Sequence, residues 1–219
     1  MKKTKLVLLL FFFANALYAQ QQFPFWNDIQ SFKKQDSIKP PPKNAILFVG
    51  SSSFAMWKDV QDYFPGYKII NRGFGGSSLP DVIRYANDII FPYRPKQVVI
   101  YCGENDLAAS DTVTAKTVVG RFKILFDLIR KKLPQIPIAY ISMKPSPSRQ
   151  LLLSKMIDAN VQIQKFLQTK KRTAFIDVYK EMIDDEGKPR PELFLADQLH
   201  MNKQGYTIWQ KLIEPHLLK

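Results

Sequence analysis

Ala45-Ile46-Leu47-Phe48-Val49-Gly50-Ser51-Ser52-Ser53 is the stretch that decides the fold of this 219-residue chain. Five apolar residues end at a glycine, and three hydroxyl side chains follow directly. An apolar run without a polar face is typical of a strand that is covered on both sides of a parallel sheet. Such sheets bind ligands beyond the carboxyl ends of their strands. The stretch therefore predicts a buried strand that ends in a serine turn close to a ligand.

Four further apolar runs have the same character and are separated by helical patterns. The predicted strands are 45–49, 68–71, 97–102, 137–142 and 173–178. Alternating strands and helices imply right-handed crossovers between parallel strands. We therefore predict the α/β class, as a three-layer α/β/α sandwich with a five-stranded parallel sheet and no second domain.

The clearest helical pattern runs from Val113 to Leu133, with Pro134 just beyond its end. Its apolar residues recur at helical spacing and form one stripe that faces the core. The stripe consists of Ala115, Val118, Val119, Phe122, Leu125, Phe126 and Ile129. Two more helices are expected at about 149–169 and 203–214.

Residues 1–19 have the pattern of a cleavable secretory signal peptide. A lysine-rich start precedes the apolar run Leu6–Phe13, and small residues lead to Ala19. The run is too short to span a bilayer, so we expect no stable membrane anchor. A bacterial protein of the periplasm or the exterior is predicted, with an N-terminal helix and Pro-rich connector over 20–43 and the main domain over 44–219.

The net charge of +13 is spread along the chain. The densest basic groups are Lys33-Lys34, Arg130-Lys131-Lys132 and Lys170-Lys171-Arg172. Each is expected at a helix end, where cations are favoured. Binding to nucleic acid would need a continuous basic stripe with stacking aromatic side chains. We therefore expect no nucleic-acid partner, and the oligomeric state stays open.

The few cysteine and histidine residues limit metal and disulfide chemistry. Cys102 is the only cysteine, so no intramolecular disulfide can form, and its place at the end of a strand indicates a core residue. His200 and His216 are the only histidines, and no cysteine cluster accompanies them. The pattern predicts no metal site.

Ser52 is the first candidate for chemistry, because a strand-to-helix turn can expose its hydroxyl above the sheet. An ordinary helix N-cap is the alternative, since serine is common there. The second candidate is the glycine block that ends at Gly76, where a backbone N–H can approach a substrate oxygen closely. A dinucleotide fingerprint is not favoured, because Ser78 occupies the third glycine position and Lys96-Gln97-Val98 stands where an acid would hold a ribose. No cofactor is expected.

Two polar blocks complete the candidate set. Asn105 follows the third strand and offers a neutral N–H donor, although loop asparagines often only shape turns. Asp106 behind it is expected to serve as a scaffold carboxylate. Asp197 and His200 lie three residues apart, so one turn can bring the carboxylate to the imidazole and hold its tautomer.

The four blocks resemble those of the SGNH (GDSL-type) hydrolases, in particular small bacterial acylhydrolases and the platelet-activating-factor acetylhydrolase-like branch. The resemblance implies the flavodoxin-like SGNH hydrolase fold and a serine esterase. It assigns Ser52 as nucleophile, His200 as base and Asp197 as its orienting partner. The oxyanion hole would consist of the Ser52 N–H, the Gly76 N–H and the Asn105 side chain.

One position departs from the family pattern, because Ser51 stands where these hydrolases usually have aspartate. Activity is not excluded, but the hydrogen bonds around the nucleophile must differ. Ser53 is the second choice for the nucleophile. Lys144 and Arg149, after the fourth strand, are expected at the rim as possible substrate contacts, and loop structure alone would explain them equally well.

The sequence therefore predicts an exported esterase for short-chain, above all acetyl, esters, with a small ester or an acetylated glycan as substrate. A phospholipid or short-chain lipid acylhydrolase is the alternative enzyme. A non-catalytic carbohydrate-binding descendant of the fold is the alternative from another class.

Overall fold

The computed structural model describes residues 23–219 and confirms the predicted α/β class. Five parallel strands form one sheet in the order β2-β1-β3-β4-β5, the order typical of flavodoxin-like folds. The strands are β1 Ile46–Gly50, β2 Ile69–Gly73, β3 Gln97–Tyr101, β4 Ile138–Ile141 and β5 Thr173–Ile176. Because β1 lies between β2 and β3, the loops that follow these three strands meet at one edge.

Helices connect the strands and cover both faces of the sheet. The α-helices are α1 Trp26–Ile38, α2 Ser52–Ala55, α3 Val60–Tyr63, α4 Leu79–Arg84, α5 Ala86–Ile89, α6 Glu104–Ala108, α7 Ala115–Lys132, α8 Leu153–Gln168 and α9 Lys203–Ile213. Short 3-10 turns lie at Phe91–Tyr93, Pro147–Leu152, Lys180–Met182, Pro191–Leu193 and Glu214–His216.

The sheet separates two hydrophobic cores, which gives the three predicted layers. Leu47 and Val49 of β1 pack against α1, α4, α7 and α8 on one face. Phe48 and Ile46 of the same strand face a second core with α2, α3 and α9. Alternate residues of one strand thus enter opposite cores, as the period of two in a strand requires. The apolar stripe predicted for α7 is buried along its whole length.

Most predicted boundaries agree with the structure to within two residues, and the differences have local causes. β5 ends at Ile176 because the next ladder position is taken by a side chain: the Ser142 hydroxyl accepts a hydrogen bond from the Val178 N–H (2.9 Å). The helix expected over 149–169 begins as the 3-10 turn Pro147–Leu152, and its α-helical part starts only at Leu153.

The N-terminal helix α1 is fastened to the edge strand β2. Arg72 of β2 forms an ion pair with Asp36 of α1, and the Tyr93 hydroxyl donates to the same carboxylate (2.6 Å). Burial, followed by the bond to Asp36, raises the pKa of Tyr93 to about 12. The expectation that Lys33-Lys34 caps a helix end was wrong, because the pair lies in the middle of α1, where Lys33 binds Asp88.

The predicted signal peptide, residues 1–19, lies outside the described residues. Within residues 23–219, none of the helices combines the length and the apolar character that crossing a membrane requires.

Candidate active site

The turn after β1 brings Ser52 to the carboxyl edge of the sheet. Gly50 adopts a φ of 142°, and a Cβ atom there would lie 1.8 Å from the Tyr101 carbonyl oxygen, so only glycine fits. The Ser51 N–H then donates to this carbonyl (3.0 Å), which fixes the path of the chain beside β3. Helix α2 begins at the next residue, Ser52.

Exposure distinguishes the three serines of this turn. Ser51 and Ser53 are 4% and 1% exposed, whereas Ser52 is half-buried and reaches the surface. A nucleophile must meet its substrate, so the structure favours Ser52 over Ser53, the second choice from the sequence. Within residues 23–219, the Ser53 hydroxyl is buried and has no hydrogen-bond partner.

Two backbone N–H groups at this edge are available to an oxyanion. Gly76 has a φ of 80°, a left-handed conformation that glycine tolerates without strain. The neighbouring Ser77 hydroxyl donates to the Gly50 carbonyl (3.1 Å) and ties the glycine block to the nucleophile turn. In the described part of the chain, neither the Ser52 N–H nor the Gly76 N–H donates to a protein acceptor. Both predicted backbone donors are therefore unoccupied.

The Asn105 carboxamide lies beside the same turn, but its donors are already in use. Its Nδ2 donates to the Ser51 hydroxyl (2.9 Å) and to the Ser77 carbonyl (3.0 Å). A carboxamide has only two N–H donors, so the bond to Ser51 must be shared or exchanged when an oxyanion forms. Ser51, at the position of the usual aspartate, thus holds Asn105 in place.

Replacing Asn105 by alanine is expected to lower kcat by roughly 100-fold, at the lower end of the 100- to 1000-fold range for one oxyanion donor. The expected loss is at the lower end because the hydrogen bond from Asn105 to the oxyanion replaces its existing bond to Ser51, so its net contribution is smaller. Steady-state kinetics with p-nitrophenyl acetate measures it, with exposed Asn87→Ala as control. A change in KM alone would assign Asn105 to substrate contact or turn structure.

Asp197 and His200 form the expected hydrogen-bonded pair. His200 Nδ1 lies 2.6 Å from Asp197 Oδ2, while Asp197 Oδ1 accepts the N–H groups of Leu199 (3.0 Å) and His200 (2.9 Å). These bonds, that of the His200 ring foremost, lower the pKa of Asp197 to about 2. The carboxylate is therefore ionised at neutral pH and can hold the imidazole with its other nitrogen, Nε2, directed away.

Two contacts join the histidine block to the remaining loops. The Tyr206 hydroxyl of α9 donates to the Ser53 carbonyl (2.9 Å), which ties the helix after the block to the nucleophile turn. The Ser148 N–H donates to the Gln198 carbonyl (3.0 Å), which joins the block to the loop after β4. All four sequence blocks thus belong to one edge of the sheet, as predicted.

The comparison with known proteins agrees with this arrangement. The model of the GDSL-like Lipase/Acylhydrolase family matches residues 49–208. The chain belongs to this family. Platelet-activating factor acetylhydrolase IB subunit alpha1 of Rattus norvegicus is 26% identical over 187 residues, which cover 83% of this chain and 78% of the relative. The Homo sapiens protein of that name is 24% identical over the same coverage.

A solved structure shows the same fold. The crystal structure of a GDSL-like lipase from Bacteroides thetaiotaomicron superposes with a TM-score of 0.73 at 21% identity, covering 85% of this chain and 95% of that chain. Membership in the family confirms the SGNH resemblance and the interpretation as a carboxylic ester hydrolase. The non-catalytic alternative is thereby set aside.

The structure corrects the position of Lys144 in this acylhydrolase. The residue is 1% exposed, and its ammonium donates to Glu104 Oε2 (3.1 Å) and Oε1 (3.4 Å). It therefore does not lie at the rim, because a buried carboxylate draws it inward. Arg149 does reach the surface, with 28% of its side chain exposed.

Asp106 and Cys102 are buried near the site and belong to the interior of the acylhydrolase. Asp106 is fully buried, accepts the Leu79 N–H (2.9 Å) at the start of α4 and binds Arg121 (2.7 Å). Its pKa is raised by burial, against the lowering effect of these bonds. Cys102 is buried, as expected, and burial raises the pKa of its thiol.

Over residues 23–219, no group of three or more His, Cys, Asp or Glu side chains could hold a metal ion.

Phe25, which precedes α1, borders the site and has an unusual backbone. Its ring lies 5.3 Å from the Phe74 ring in an edge-to-face contact, and its Cε1 lies 3.7 Å from the position of a Cβ on Gly76. Its φ of 68° is a strained, left-handed value for a bulky residue. Nothing in the sequence indicated that this ring would reach Gly76.

Proposed function

We propose that the protein is an exported serine esterase that removes short acyl groups, above all acetyl, through an acyl-enzyme. Ser52 Oγ attacks the ester carbonyl while His200 takes its proton, and Asp197 stabilises the resulting imidazolium. The oxyanion binds the N–H groups of Ser52 and Gly76, with Asn105 as third donor. His200 then protonates the leaving alcohol, and a water molecule, activated in the same way, releases the acid and regenerates Ser52.

The position of Phe25 is the observation that carries the preference for short chains. Its ring is within van der Waals distance of the Gly76 face, so it closes the site on the side of the oxyanion donors. The alcohol must leave beside His200, which protonates it, so the acyl group points away from that histidine and toward Phe25. An acetyl group fits such a space, whereas a longer chain meets the ring.

O-acetylated carbohydrate is the natural substrate class that we favour. The secretory pattern of residues 1–19 would bring the enzyme to the compartment in which extracellular glycans are found. The connections between the site loops are short crossovers, and a bulky, polar alcohol can approach an edge of this kind. The acyl group would be the small part of the substrate and the glycan the large part.

A lipid ester is the second candidate, and exposed apolar residues favour it. Leu151 is 96% exposed and Leu195 is 41% exposed, and both belong to the loops on the histidine side. The Leu195 N–H donates to the His200 carbonyl (2.8 Å), so this leucine is fixed beside the base. The relatives named above are called platelet-activating factor acetylhydrolases, a name that pairs removal of an acetyl group with platelet-activating factor as the substrate.

A series of p-nitrophenyl esters from acetyl to decanoyl tests the short-chain preference. For the wild type, we expect kcat/KM to be highest for acetyl and to fall with chain length. Phe25→Ala should move the optimum toward butyryl, because each methylene that gains cover adds about 0.8 kcal/mol, or about fourfold. The rate for butyryl relative to acetyl, which differ by two methylenes, should thus rise by up to about 15-fold.

Phe32→Ala is the matched control, because this part-buried aromatic of α1 packs near Arg72 instead of Gly76. In this variant, the dependence of kcat/KM on acyl chain length should be the same as in the wild type. A steady rise of kcat/KM with chain length in the wild type would contradict the proposal and indicate a lipid site. Acetate release from acetylated glycans and acetylated lipids then decides between the two substrate classes.

A further inference from the structure

The loop after β4 contains a cationic group that the ester chemistry does not use. Lys144 and the Tyr101 hydroxyl bind the Glu104 carboxylate, the hydroxyl at 2.6 Å from Oε2. Arg149 approaches the same carboxylate, but its Nε remains 4.0 Å from Oε1, beyond hydrogen-bond distance. Two cations thus share one carboxylate, and the lysine holds it at close range. Glu104 compensates only one of the two positive charges, so the charge of Arg149 has no close carboxylate partner among the described residues.

Arg149 also has an unsatisfied donor. Its Nε is buried and has no hydrogen-bond partner within residues 23–219, although the side chain as a whole is 28% exposed. In the same turn, the Ser146 hydroxyl is fully buried and equally without a partner. Buried polar groups in proteins are almost always paired, so an unpaired N–H on a partly exposed cation points to an anionic ligand.

The position of Arg149 fits the alcohol side of the ester. Glu104, its nearest carboxylate, directly precedes Asn105 of the oxyanion hole. The Ser148 N–H binds the Gln198 carbonyl (3.0 Å), so the arginine turn lies against the loop that carries Asp197 and His200. The alcohol departs beside His200, so the turn that carries Arg149 lies on the side of the leaving group.

We propose that Arg149 binds a carboxylate or phosphate on the alcohol part of the ester, and so selects acidic substrates. The inference rests on the proposed esterase function and names its substrate class more closely. A guanidinium can bind either oxyanion through two parallel hydrogen bonds. A carboxylate would come from an acidic sugar and a phosphate from a lipid headgroup.

Matched pairs of acetyl esters test the proposal. The first pair is an O-acetylated galacturonic acid and its methyl ester, and the second is acetylated glycerol phosphate and acetylated glycerol. Within each pair, the acetyl group is the same and only one member has the anionic group. The wild type should show at least a tenfold higher kcat/KM for the anionic member of one pair. Arg149→Gln should bring this ratio close to one, and Arg149→Lys, which keeps the charge, should retain part of it.

Arg190→Gln is the control, because this partly exposed arginine binds Glu192 (2.8 Å) outside the site and should keep the wild-type ratio. A preference in the first pair alone indicates an acidic glycan, and one in the second pair alone a phospholipid; both support an anion site. Wild-type ratios near one in both pairs would overturn it, even if Arg149→Gln fails to fold. Loss of the preference in Arg190→Gln would also overturn it, since general surface charge would then be the cause.

Turnover of p-nitrophenyl acetate separates this proposal from the proposed function. If the wild type hydrolyses this neutral ester and both pairs without regard to charge, the esterase function stands and only the anion site fails. If it hydrolyses neither the neutral ester nor any acetylated compound, the proposed function fails, and the anion site fails with it.

Discussion

Ser52→Ala and His200→Ala are each expected to lower kcat by about 10⁶-fold, the size of loss found when a serine hydrolase loses its nucleophile or its base. Without Ser52, no acyl-enzyme can form, and without His200, nothing takes the proton of the attacking hydroxyl. The two groups act as a unit, so the double variant should be little slower than either single variant. Stopped assays with p-nitrophenyl acetate measure the rates.

Ser53→Ala is the matched control for this result, since it removes the neighbouring hydroxyl from the same turn. Ser53 is 1% exposed and its hydroxyl has no partner among the described residues, so its loss should leave kcat within about twofold of wild type. Thermal unfolding should show that all variants are folded. Near-normal turnover by Ser52→Ala, with loss in Ser53→Ala, would move the nucleophile to Ser53.

The fold could be predicted because its signal is local. Each strand of a parallel sheet is buried on both faces, so a run such as Ile46–Gly50 stands out by its lack of any polar residue. The topology then brings residues after separate strands to one edge, whatever their distance in sequence. This explains why Ser52, Gly76, Asn105 and the histidine block could be predicted to share one edge before the structure was known.

What the sequence could not provide depends on partners far along the chain. Lys144 follows a strand and resembled a rim residue, but Glu104, 40 positions earlier, binds it in the interior. The availability of the Asn105 donors depends likewise on Ser51, 54 positions away. The local sequence pattern indicates which residues are buried and which form turns. Pairs of polar side chains depend also on the order of the strands in the sheet, which brings distant residues together.

The N-terminal segment shows the same limit. Pattern alone predicted a helix and a connector over 20–43, without a position relative to the sheet. The structure places α1 on the sheet edge through Asp36, Arg72 and Tyr93, and this brings Phe25 to the glycine block. A left-handed φ at a phenylalanine cannot be anticipated, because phenylalanine itself disfavours it.

Asp197→Asn should lower kcat on the order of 1,000- to 10,000-fold, while the loop keeps its shape. The asparagine oxygen can still accept the N–H groups of Leu199 and His200, as Oδ1 does now at 3.0 and 2.9 Å. Its Nδ2 would then face His200 Nδ1 and donate to it. The imidazole proton would be forced onto Nε2, where a base must have a lone pair.

The matched control is Asp184→Asn, because Asp184 Oδ1 also accepts two backbone N–H groups, from Glu186 (2.9 Å) and Lys188 (2.8 Å), but faces no histidine. It should keep full activity. If Asp197→Asn retained more than a tenth of the wild-type kcat, Asp197 would only shape its loop, and His200 would be oriented by other means.

The pH dependence follows from the same carboxylate. The His200 bond and the backbone N–H groups lower the pKa of Asp197 to about 2 in the folded protein, from about 3.9 in an unfolded chain. Its contribution to the free energy of unfolding is therefore complete above about pH 4 and is lost as the pH falls toward 2. Asp197 thus remains ionised across the acid limb of kcat/KM, which must reflect a different group. A wild-type acid limb that disappeared in Asp197→Asn, with the neutral-pH rate retained, would contradict this assignment.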